Sequence, residues 1–171
     1  KGAKSSLDDK TAPLAGLTAT FIFAVQMLNF PVAAGTSGHL LGAALATVLV
    51  GPYAATLAIT IVLLLQALLF ADGGLSALGL SVFNMSIVAV WVSYAIFLLV
   101  KKILPKTKSS VTAAAGVAAV ISVPAAAASF VLQYAIGANA TFSVSSVLAA
   151  MVGTHILIGI GEALITVFAV G

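Results

Sequence analysis

The chain has no cysteine and no arginine, and only 6% of its 171 residues are charged, against roughly 25% in ordinary soluble domains. Without cysteine there is no disulfide framework and no thiolate metal site. Seven basic and four acidic residues cannot coat a water-soluble domain of this size. That excludes a cytosolic globular enzyme, and an apolar share of 62% excludes a disordered chain. A net charge of +3 from scattered lysines is too thin to hold a phosphate backbone, so nucleic acid is not a partner. What remains is an integral membrane protein, all-α, built as a polytopic helical bundle in contact with lipid.

No Asp, Glu or Lys occurs from Thr11 to Ala71, from Gly73 to Val100, or from Ser109 to Gly161. A helix crosses the hydrocarbon core with about 20 apolar residues, so each stretch is long enough for at least one crossing. Glycine and proline divide them. The reading gives about six spans: Ala12 to Phe30, a short or tilted His39 to Gly51, Tyr53 to Phe70, Leu75 to Val100, Thr112 to Ile136, and Val144 to Val170. They form a single transmembrane domain, residues 1–171. The chain opens on Lys1 rather than Met, with no charged-then-apolar leader, so it is expected to have no signal peptide and to lack an N-terminal segment.

Lysines orient the spans. Lys101, Lys102, Lys106 and Lys108 make residues 101–110 a basic loop, expected to be cytoplasmic. Counting back through the four spans that precede it puts Lys1, Lys4 and Lys10 on the same side. Pro31–Gly38, Asp72 and Gly137–Ser143 then fall outside. The spans are also rich in Ala and Gly, which lets helix backbones approach closely in lipid.

Few residues can carry chemistry. His39 follows the outer loop in GTSGHL, with Thr36 and Ser37 before it. It is either a transition-metal ligand or an interfacial histidine bonded to a carbonyl. His155 and Glu162 lie within the last span, two turns apart on one face, about 10 Å. With Met151 they read as a soft-metal relay, a proton path, or a buried polar pair bonded to Asn84, Ser or backbone. Asp72 in ADGG is ordinary turn chemistry. Asn84 is expected to face the bundle interior. No GxxxxGK[ST], HExxH or GxSxG occurs, so the chain is not an enzyme of those kinds, and any ATP hydrolysis must come from another chain.

Phe23 to Val88 closely resembles the substrate-binding membrane subunit of cobalt and nickel energy-coupling-factor (ECF) ABC transporters. The tokens are NFPV, GTSGHL with His39, GPYAA, QALLFADGG with Asp72, and FNM with Asn84; LDDK and GTHILIGIGEALIT, with His155 and Glu162, extend it. The resemblance implies a multi-pass protein of a prokaryotic inner membrane that captures Ni(II) or Co(II) near the outer face. It implies a partner transmembrane coupling subunit, cytoplasmic ATPases and, in some cases, a small accessory membrane subunit. The metal is cargo; no cofactor is implied. In that family nitrogens of an N-terminal Met-His and the histidine of GTSxH hold the ion, and the last maps onto His39. The Met-His start does not occur in this sequence. The resemblance therefore implies a preceding helix and seven crossings in all. Thr36, Ser37, Asp72, Asn84, His155 and Glu162 are then supporting or pathway residues.

Three other classes compete. A subunit for an organic vitamin would want stacking aromatics, and Trp91 is the only tryptophan. An intramembrane enzyme using His155 and Glu162 lacks a nucleophile at close spacing. A channel or structural bundle leaves His39 without a task.

Overall fold

The computed structural model describes residues 2, 7–32, 36–137 and 142–171. The described chain is helical apart from one short hairpin: α1 (Thr11–Gln26), β1 (Phe30–Val32), β2 (Thr36–Gly38), α2 (Ala43–Leu69), α3 (Gly74–Ser81), a π-helical segment (Val82–Val88), α4 (Ala89–Ile103), α5 (Lys108–Gly137) and α6 (Val144–Val170). The strands pair antiparallel, Phe30 opposite Gly38 and Val32 opposite Thr36.

Local chemistry sets the helix starts. The Asp8 carboxylate accepts the backbone N–H groups of Thr11 (2.7 Å) and Lys10 (3.1 Å), which holds its carboxyl below the usual carboxylate range and opens α1. Ser143 does the same for α6 through the N–H of Ser146, at 3.2 Å.

Among the described residues, four helical stretches are long and apolar enough to cross a membrane: Ala43–Leu69, Gly74–Ile103, Lys108–Gly137 and Val144–Val170. That falls short of the six spans expected of this chain. The 16 residues of α1 reach only about 24 Å, short of a core about 30 Å thick. His39–Gly51 and Tyr53–Phe70, expected as separate crossings, share the element α2. Its first arm, with Ala43, Ala44, Ala46 and Thr47, is buried in protein.

Gly51 breaks α2, with φ 77° and ψ 165°. A straight 27-residue helix would carry its ends about 40 Å apart. Yet His39, just before α2, and Asp72, just after it, line one cavity. The chain therefore folds back at Gly51. Only glycine adopts this backbone region freely, and a Cβ there would meet nothing within 4 Å. Gly51→Ala should thus cost about 1–3 kcal/mol through backbone strain alone. The check is thermal unfolding in detergent; an unchanged midpoint would show that Gly51 does not set the reversal.

Small residues do pack the interior. Ala114, Ala115, Ala118 and Ala119 of α5 are buried, and a Cβ at Gly159 would stand 3.1 Å from the Val120 carbonyl oxygen. That spacing brings α5 and α6 backbones together. Ile22, Ile59, Val90, Val123 and Val147 fill the rest of the core. Leucines 68, 69, 98, 99, 132, 157 and 164 stay exposed, a surface that suits lipid and not water.

Candidate metal-binding cavity

The segment between β2 and α2 places His39. The chain turns at Gly42, where φ is 74°, and enters α2. Both polar groups of the Leu41 backbone are held by side chains from other helices. Gln26 of α1 donates through Nε2 to the Leu41 carbonyl (2.8 Å). The Leu41 N–H donates to Oε2 of Glu162 on α6 (2.8 Å). The second oxygen, Oε1, is buried without a hydrogen-bond partner among the described residues. Glu162 is thus a buried carboxyl group at the start of α2, where backbone N–H groups lack helical partners.

His39 is half-buried, and its Nδ1 lies 2.8 Å from the Leu40 carbonyl oxygen. In the neutral ring Nδ1–H donates there, which leaves the Nε2 lone pair free. His155 repeats the pattern: buried, with Nδ1 2.7 Å from the Met151 carbonyl oxygen. The two rings line one cavity of about 320 Å³. Ser37, Asp72, Asn84, Met85 and Met151 complete its polar and sulfur-bearing wall. Gly38 lets the walls meet, since a Cβ there would stand 3.0 Å from Ile158 and 3.4 Å from His155 Cε1.

The structure brings His39, Ser37, Asp72, Asn84 and His155 together and sets Glu162 apart. His155 and Glu162 do not bond to each other, but each is buried and bonds to backbone, at the Met151 carbonyl and the Leu41 N–H. Glu162 meets the helix start instead, among Phe21, Leu40 and Leu45. Nor does Asn84 bond to either of them. It exchanges two amide hydrogen bonds with Gln133 of α5, at 2.9 and 3.0 Å. Asp72 accepts from Asn29 Nδ2 at 3.3 Å. The backbone of Thr36 pairs in the hairpin. Its side chain, together with Ala33–Gly35, Lys1 and Lys4, lies outside the described residues.

Sequence reasoning passed over Gln26 and Gln133. Each is a lone amide inside an apolar span, which was the available signal. It also did not foresee the π-helical segment, whose irregular turn carries Asn84 and Met85 to the cavity.

The groups lining the cavity whose chemistry could ligate a metal are two imidazoles, the Asp72 carboxylate and the thioethers of Met85 and Met151. No group of three or more His, Cys, Asp or Glu side chains occurs among the described residues. On this chain, then, His39 needs further donors to make a tight site.

A family model for the cobalt uptake substrate-specific transmembrane region matches residues 1–171. A cobalt transport protein of Sorangium cellulosum is 35% identical, covering 90% of this chain and 69% of that one. A chain of Archaeoglobus fulgidus, named as a candidate fused nickel transport protein, is 40% identical over 92% of this chain and 51% of its own length. The sequence therefore spans about half of that relative. A crystal structure of a truncated transition metal transporter superposes with a TM-score of 0.83 at 32% identity, covering 98% of this chain and 82% of that one. The chain belongs to the family of cobalt uptake substrate-specific transmembrane regions.

Proposed function

We propose that this chain is the substrate-binding membrane component of an ECF-type importer for Ni(II) or Co(II). It captures the ion at the outer face of a prokaryotic inner membrane. A coupling subunit and cytoplasmic ATPases supply the energy, since no ATP-binding motif occurs in this sequence. The observation that carries the reading is the cavity that holds His39 with its Nε2 free. Imidazole suits both ions. The nickel and cobalt transport relatives support the choice of cargo.

The long helix Gly74–Ile103 supports this side of the membrane. Asp72 and the cavity stand at one end, and Lys101 and Lys102 at the other, about 45 Å away for 30 residues. Lysines mark the cytoplasmic side, so the cavity faces out. The absence of cysteine makes a single introduced thiol a unique reporter. With an impermeant thiol reagent, Ser145→Cys should react in intact cells, and Ser109→Cys only after permeabilisation. Labelling of Ser109→Cys in intact cells would overturn the orientation. The cargo is tested on the complete protein by calorimetric titration with Ni(II), Co(II) and Mg(II). Binding of the first two at about micromolar Kd or tighter, without Mg(II), is expected. No uptake of either ion would sink the reading.

A further inference from the structure

The cavity holds a second imidazole that capture at His39 leaves unused. An ionisable ring inside a membrane-spanning helix is costly and marks function more often than packing. The Nδ1 of His155 is satisfied by the Met151 carbonyl at 2.7 Å, while its Nε2 makes no hydrogen bond among the described residues. A ring fixed through Nδ1–H to a carbonyl, with the Nε2 lone pair turned outward, is how metal-ligating histidines are held. Gly38, next to His39, runs past the ring edge without a side chain; a Cβ there would lie in van der Waals contact with His155 Cε1 at 3.4 Å. Met151 lies one turn earlier on the same helix face and also lines the cavity, where it offers a thioether. At roughly 30 Å³ per water, about 320 Å³ also leaves room for a partly hydrated ion.

We propose that His155, through Nε2, and the Met151 thioether form a second binding station for the divalent cation, which passes to it from His39 within the same cavity. The proposal rests on the reading that the chain handles Ni(II) or Co(II). One imidazole and one thioether, completed by water, hold these ions more weakly than a set of nitrogens. A weak station beside a tight one lets the ion leave the first without regaining its full hydration shell.

The test counts Co(II) on the complete protein in detergent micelles, by equilibrium dialysis and by the visible absorption of the bound ion. The parent should bind one Co(II) tightly and a second more weakly. His155→Asn places an amide nitrogen where Nδ1 sits, which keeps the bond to Met151 and removes the Nε2 donor. It should lose the weak ion and keep the tight one. Met151→Leu conserves volume and should weaken the second ion about ten-fold; it decides the matter should His155→Asn fail to fold. Retention of the second ion by His155→Asn, or a parent that binds only one, overturns the station and leaves the transport reading standing. Loss of both ions from folded His155→Asn also overturns it, because His155 would then belong to the capture site. A parent that binds neither Co(II) nor Ni(II) removes both readings at once.

Discussion

His39→Ala, made in the complete protein, is expected to lower Ni(II) and Co(II) affinity by more than about 100-fold, because even supporting groups around a metal are worth 10- to 100-fold. The carbonyl of Leu40 fixes the ring through Nδ1 and aims Nε2 at the cavity. Removing the ring deletes a donor whose orientation is already set, and water is the only replacement. The fold should tolerate the change. The backbone of the segment is anchored at Leu41 by Gln26 and Glu162, and the His39 ring is not part of the buried core. The unfolding midpoint should therefore stay near that of the parent while the titration flattens. Affinity within a few-fold of the parent would place the capture site elsewhere.

Charge alone revealed the membrane class, because long stretches without Asp, Glu or Lys have no other use in a chain this apolar. It did not reveal how many crossings those stretches contain. Gly51-Pro52 was legible as a break, but a break looks the same whether it joins two crossings or folds a short buried arm onto a long one. Only burial of Ala43, Ala44 and Ala46 by other elements separates the cases. The site shows the same limit. The seven-residue spacing of His155 and Glu162 correctly put them on one face of α6. That face is crossed by the chain from Gly38 to Ala44, so His155 meets Gly38 and Glu162 meets Leu41. The residues between which a polar side chain lies belong to tertiary structure, and no spacing within one helix encodes them. Family tokens such as GTSGHL identified His39, but they carried no information about which helices hold it in place.

The hold on that segment leads to the second large effect. Glu162→Ala should destabilise the protein by about 2–4 kcal/mol. It orphans the buried Leu41 N–H, at about 1–3 kcal/mol, and leaves a cavity where the side chain stood. Glu162→Gln should cost less, about 1 kcal/mol, because an amide oxygen still accepts the Leu41 N–H. Leu41 lies two residues from His39, so loosening it also disorders the ligand. Ni(II) affinity should fall about 10- to 100-fold in Glu162→Ala, with partial recovery in Glu162→Gln. The pattern differs from that of His39→Ala: here stability and affinity fall together and recover together, whereas there affinity falls alone. Thermal unfolding and metal titration on the same purified samples make the comparison. Parent-like values for Glu162→Ala in both measurements would mean that the carboxylate neither secures the start of α2 nor positions His39.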